Sequence, residues 1–241
     1  MMSSVGSGFF VMLPFSLQES LKARAHLSDT YRFFDVTFTL YTDTPKVLDL
    51  FRLIYGRFHL GRGTERPSAA YWILGSKANS VGPCLLWEDG RACLLPESEA
   101  LASCAEAIIT SGVLLKVQSH LILHGVSVSW NGLGVILAGL SGSGKTTLCM
   151  ELVRRGFHFL SDELASLSRE SHQLEPFPKA LGLRTSGIGV SWGILSGRQP
   201  VRTAAGDEKW MVDAQEIPEI FLGHSSPVRF LILLETCPQT G

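Results

Sequence analysis

Residues 139 to 146 read Gly139-Leu140-Ser141-Gly142-Ser143-Gly144-Lys145-Thr146, a complete G-x-x-x-x-G-K-[ST] phosphate-binding (Walker A, or P-loop) motif. Its flanks constrain the fold more than the motif does. Residues 134–138, Gly-Val-Ile-Leu-Ala, form an apolar run of strand length. Residues 147–155 carry apolar side chains at helical spacing and stop at Gly156, a C-cap residue. Strand, glycine loop and helix in that order let backbone N–H groups close around phosphate oxygens at the positive end of the helix dipole. The spacing therefore predicts a nucleotide triphosphate held by Gly139, Leu140, Ser141, Gly142, Ser143, Gly144, Lys145, Thr146 and Thr147. Lys145 reaches the β- and γ-phosphates and Thr146 offers its hydroxyl to Mg2+. No Asn-Lys-x-Asp guanine-reading motif is evident, so ATP is the expected nucleotide.

Composition excludes several function classes. A net charge of −1 does not suggest electrostatic capture of nucleic acid or of an anionic membrane. Five cysteines without a C-x-x-C pair point to free thiols in a reducing cytoplasm. The apolar stretch at residues 9–15 lacks a basic leader and contains Pro14, so a buried first strand is expected rather than a signal peptide.

Coarse patterning divides the chain into an α+β region of unknown role (residues 1–118) and an α/β nucleotide-binding domain (residues 119–241). In the first, residues 34–41 alternate as a strand and Pro45–Tyr55 has helical spacing. Residues 71–74 and 84–87 read as strands, and a turn at 88–91 leads into another at 92–95. Residues 96–119 read as one or two helices. In the second, 121–123 enters a strand and Asn131-Gly132 is a hairpin turn feeding the strand before the glycine loop. Residues 228–235 read as a buried strand close to the last residue, which leads to the expectation that C-terminal elements of the domain are missing.

A second constellation follows the glycine-loop helix. Residues 157–160 are a short apolar strand that ends in Asp162 and Glu163. A strand at that position is expected to return beside the glycine-loop strand and deliver its carboxylates to the phosphate site. Such acids hold Mg2+ or accept a proton from an attacking hydroxyl. Neighbouring side chains on a strand face opposite ways, so the two acids are expected to divide those roles. His120 and His124 precede the loop, with His124-Gly125 leading toward the nucleotide strand.

Together these pieces resemble the catalytic domain of HPr kinase/phosphorylase, the serine kinase of the sugar-transport phosphocarrier, and the wider group of HPr-kinase-related proteins. The matching residues are His124-Gly125-Val126, Gly132, Gly134-Val135, Leu137, Gly139, Ser141-Gly142, Gly144-Lys145-Thr146, Glu151-Leu152-Val153, Arg155-Gly156 and Asp162-Glu163. The resemblance implies a fold of the HPr kinase/phosphoenolpyruvate carboxykinase type. It also implies His124 near the acids, Lys145 on the phosphates and Thr146 on Mg2+, with Asp162 as the metal-side or histidine-orienting acid. The family's proton-transfer residue is the second acid, an aspartate there and Glu163 here. Gly182, in Leu181-Gly182-Leu183-Arg184, stands where the family has a metal-binding glutamate. The expected activity is transfer of the γ-phosphoryl group to a hydroxyl, of serine type, on a protein, peptide or small molecule. A non-catalytic ATP-binding module and a simple ATPase are the alternatives. Relatives form oligomers, so a homo-oligomer is among the expected states.

Overall fold

A computed structural model of the chain describes residues 10–63, 66–76, 82–96, 99–140, 142–183, 195, 197–203 and 206–235. It has two compact units, Met1–Val117 with Pro200–Lys209, and Gln118–Gln199 with Trp210–Gly241. No helix among the described residues is long and apolar enough to cross a membrane.

The first unit contains β1 (Val11–Met12), α1 (Phe15–Lys22), β2 (Leu27–Phe33), β3 (Val36–Thr42), α2 (Pro45–Tyr55), β4 (His59–Gly61), β5 (Ala69–Leu74), β6 (Cys84–Trp87), β7 (Arg91–Leu94) and α3 (Leu101–Leu114). Its strands form one sheet in the order β1-β7-β6-β5-β3-β2-β4. The β3–β5 pair is parallel, so the chain between them crosses over through α2. Pro45 opens α2, where its missing N–H costs nothing, and Val47, Leu48, Phe51, Ile54 and Tyr55 recur at three- and four-residue spacing and are buried. Asp29, buried in β2, receives both Nε (2.6 Å) and Nη2 (3.0 Å) of Arg52 from that helix. The expectation of a buried first strand fails. Phe10, Val11 and Met12 are exposed because β1 is a two-residue edge strand paired only to β7.

The second unit contains β8 (His120–His124), β9 (Val126–Trp130), β10 (Leu133–Gly139), α4 (Lys145–Arg154), β11 (His158–Ser161), β12 (Leu164–Ser168), β13 (Gln173–Glu175) and β14 (Leu181–Leu183). Farther along the chain are β15 (Val201–Arg202), β16 (Glu208–Val212) and β17 (Ser226–Leu234). The last residues of β16 pair with β14, and its first residues pair with β15. The main sheet runs β11-β9-β10-β17-β13-β12-β8. Residues 120–129 and 158–168 run antiparallel along nearly their whole lengths, first as β8 with β12 and then as β9 with β11. This two-stranded ribbon bends between the two pairings, so its halves lie at opposite ends of the strand order.

Period-two alternation builds a core on each face. Val126, Val128, Val135, Leu137 and Phe159 pack with Cys149, Met150 and Val153 of α4. Ile136 and Leu160, one residue out of phase, pack with Ala165 and Leu174. Two expectations are corrected here. The strand after α4 does not lie beside the glycine-loop strand, because β9 stands between β10 and β11, and β10 has β17 as its parallel neighbour on the other side. The strand at 228–235 is not buried. Phe230, Leu231, Ile232 and Leu233 are 42–70% exposed, since over Val228–Leu234 the described residues pair β17 with β10 alone.

Leu137 is fully buried between β9, β10 and α4. Leu137→Ala is expected to destabilise the chain by about 2–5 kcal/mol in urea unfolding, whereas Leu233→Ala on exposed β17 should change stability by less than about 1 kcal/mol.

Candidate functional site

The glycine loop joins β10 to α4 through left-handed backbone. Gly142 and Gly144 have φ of +84° and +87°, which a side chain would strain. Gly144 is the N-cap of α4, and no side chain caps that end or places an acid in its first turn. The first turn of α4 thus carries no carboxylate of its own, and its N–H groups present the positive end of the helix to the glycine loop. Lys145, only 9% exposed, donates from Nζ to the carbonyl oxygens of Gly139 and Leu140 at 2.8 Å each. Its ammonium thus lies within the loop that precedes it. Thr146 is half-buried and Thr147 exposed, while Ser141 falls outside the described residues.

The acids occupy the bend of the ribbon. The Gly125 N–H donates to the Glu163 carbonyl oxygen at 2.9 Å, and the Leu164 N–H donates to the Ser161 hydroxyl at 3.2 Å. These bonds turn the chain through Asp162 and Glu163 and tie it to the end of β8. His124 pairs in register with Leu164, so its backbone lies alongside the acidic corner. Gly125 is needed for close approach, since a Cβ there would meet the Leu137 carbonyl oxygen at 2.7 Å. His120 lies at the other end of β8, opposite Ser168, and its ring sits between the Ser119 hydroxyl (2.7 Å) and the Glu175 carboxylate (3.0 Å). It is a packed structural histidine and is not brought to the acids.

The two carboxylates have different surroundings. Asp162 is 5% exposed. It is close enough to α4 that, after burial itself, its charge helps hold the Cys149 thiol well above the ordinary thiol range. Glu163 has a 44% exposed side chain and pairs through Oε2 with Lys179 Nζ at 2.6 Å. The acidic corner is thus bonded to two other segments, the β8 end and the 176–180 loop, and its Asp162 charge is felt at Cys149 of α4. That loop is anchored by the Phe177 N–H donating to Leu160 O at 3.0 Å. Lys179 is the residue that reading the sequence missed. The available signal was a lone cation between Pro176-Phe177-Pro178 and Ala180-Leu181, because lysines in apolar runs are seldom buried unless paired. Gly182 lies in β14 opposite Met211, and residues 184–189 fall outside the described residues. Among the described residues no group of three or more His, Cys, Asp or Glu side chains is arranged to hold a metal ion.

Gly125→Ala should destabilise the chain by about 1–3 kcal/mol, because the obstructing atom is backbone and cannot rotate away. Urea unfolding would measure this, and a loss below about 0.5 kcal/mol would contradict a close-packed bend.

Residues 115–188 match the family model of the HPr Serine kinase C-terminal domain. Similar curated proteins include the HPr kinase/phosphorylase of an Exiguobacterium species, 30% identical over 109 residues that cover 43% of this chain and 35% of that protein. The HPr kinase/phosphorylase of Lactobacillus acidophilus is 31% identical over 139 residues, covering 49% of this chain and 42% of the relative. That of Bordetella pertussis is 32% identical over 136 residues, covering 49% and 44%. The chain spans less than half the length of each of these relatives. Through this segment the chain is similar to the HPr kinase C-terminal domain, and its mixed α/β architecture fits a kinase-like fold.

Proposed function

We infer that the chain is an ATP-dependent phosphotransferase of the HPr-kinase-related kind, which moves the γ-phosphoryl group of ATP to a serine-type hydroxyl on an acceptor still to be identified. The observation that carries this reading is the pairing of two features in one unit. One is a glycine loop whose lysine and helix N-terminus suit phosphate oxygens; the other is an acidic corner at the end of β11, the strand whose Phe159 packs on α4, the helix that loop begins.

In this reading the loop amides and Lys145 bind the β- and γ-phosphates. A phosphate oxygen carries more charge than the Gly139 and Leu140 carbonyls, and so competes with them for the ammonium. Thr146, through its hydroxyl, and Asp162, through its carboxylate, are the residues that would hold Mg2+. Mg2+ commonly keeps several waters and binds through one or two protein groups together with substrate phosphates, which a site of this kind suits. When bound, Mg2+ neutralises charge on the phosphates. Glu163 orients the acceptor hydroxyl and takes its proton on a carboxylate oxygen, while His124, exposed at the end of β8 with its backbone alongside the corner, is the further residue that the resemblance assigns to the site. The alternative of a binding module without turnover is favoured by one observation, Gly182 where the related enzymes carry a metal-binding glutamate.

One set of variants separates these readings. With ATP about a hundredfold above its dissociation constant, the parent should gain about 2.7 kcal/mol of stability, which Lys145→Ala should abolish. Incubation with γ-labelled ATP, Mg2+ and a host-cell lysate should label an acceptor. The Asp162→Asn, Glu163→Gln double variant should bind ATP yet transfer about 10²–10⁴-fold more slowly. Stabilisation that survives Lys145→Ala would sink the nucleotide site. No labelling by the parent would favour the silent binder, and undiminished labelling by the double variant would remove the acids from the mechanism.

A further inference from the structure

We propose that Lys179 is a positioning residue, a buried lysine that fixes the half-exposed carboxylate of Glu163 by an ion pair and so sets the geometry in which that carboxylate meets the acceptor hydroxyl. This inference rests on the phosphotransferase reading above. Lys179 belongs neither to the glycine loop nor to the expected metal ligands.

Its burial is the first argument. Lys179 is 8% exposed, and a lysine is rarely withdrawn from water that far without a specific anionic or carbonyl partner. Here the pair distance to Glu163 is 2.6 Å. The pair is also asymmetric, the lysine side chain being 9% exposed and the glutamate 44%. The lysine is therefore the fixed member, and the glutamate carboxylate goes where the ammonium holds it.

The mount is stiff. Pro176 and Pro178 flank Phe177, which is 1% exposed and whose N–H is bonded to Leu160 O. The Lys179 N–H bonds back to Phe177 O at 2.9 Å, and buried Ala180 and Leu181 lead directly into β14. The lysine is thus anchored to the strand segment that leads into the acidic corner, with little freedom to follow a wandering partner.

Such an anchor has a chemical use in this chain. A glutamate has one more rotatable bond than an aspartate, so its carboxylate sweeps a wider volume and is less often in line with a reacting hydroxyl. An immobile cation at 2.6 Å selects one of those positions. A fixed lysine beside Glu163 thereby gives a long side chain the definition that a shorter acid has by itself.

Two measurements on the full chain test this. Carbodiimide amidation without nucleotide, read by peptide mass spectrometry, reports how freely the Glu163 carboxylate reacts. Lys179→Met should raise it several-fold, while Lys179→Arg should leave it near the parent value. Transfer of label from γ-labelled MgATP, to water and protein counted together, reports turnover. Lys179→Met should lower kcat by about 10–100-fold with the KM for MgATP within about twofold, and Lys179→Arg should recover much of it. In a Glu163→Gln background Lys179→Met should have no further effect. Should Lys179→Met fail to fold, Lys179→Gln, which keeps a polar head group without the charge, replaces it and should raise amidation and lower kcat in the same way. Unchanged amidation, an undiminished rate in Lys179→Met or Lys179→Gln, or a loss that persists in the Glu163→Gln background overturns the inference while leaving an active enzyme. A parent that transfers no label removes the phosphotransferase reading and this inference with it.

Discussion

The second unit depends on one corner, where the Gly125 N–H meets the Glu163 carbonyl oxygen at 2.9 Å. A single backbone hydrogen bond contributes only about 1 kcal/mol net, so it does not hold the corner alone. The bend is held because each half of the ribbon buries an apolar row in a different place, Val126, Val128 and Phe159 beneath α4, and Leu160 and Ala165 on the other face. Straightening the ribbon would strip both rows. The acids at the corner are thereby fixed by apolar packing on either side of them, which costs the site no polar group of its own.

Two buried lysines complete the electrostatics, and each has the oxygen partners that a cation out of water requires. Lys145 has two loop carbonyls, uncharged and easily outcompeted by phosphate. Lys179 has a full carboxylate at 2.6 Å, a partner not easily displaced. The first lysine is arranged for exchange and the second for permanence. That difference separates a ligand-binding cation from an anchoring one, although the two side chains are chemically identical.

Much of the local structure was legible in the sequence. Pro45 with its three- and four-residue apolar spacing specified α2 to the residue. Asn131-Gly132, with φ of +49° and +76°, closes the β9–β10 hairpin, and Gly90, at +85°, turns β6 into β7. Strand, glycine loop and helix stand at β10 and α4. Neighbour order was not legible, because alternation tells which face a strand buries and not which strand lies beside it. Hence β11 was assigned to the wrong neighbour. Nor can five consecutive apolar residues, Phe230 to Leu234, reveal whether anything covers them, and β17 proved exposed where burial was expected. Lys179 escaped because its partner is sixteen positions away, and pairing across a bend leaves no periodic trace.

Phosphoryl transfer in this chain requires the acidic corner and the glycine loop to serve one reacting phosphate. A crystal structure of the chain with Mg2+ and a non-hydrolysable ATP analogue measures this directly. The triphosphate is expected within the Gly139–Thr146 loop, with a carboxylate of Asp162 or Glu163 close enough to reach the γ-phosphate region directly or through one water or metal ion. A γ-phosphorus bound in that loop but more than about 10 Å from both carboxylates would contradict it, because no proton or metal could then be shared between them.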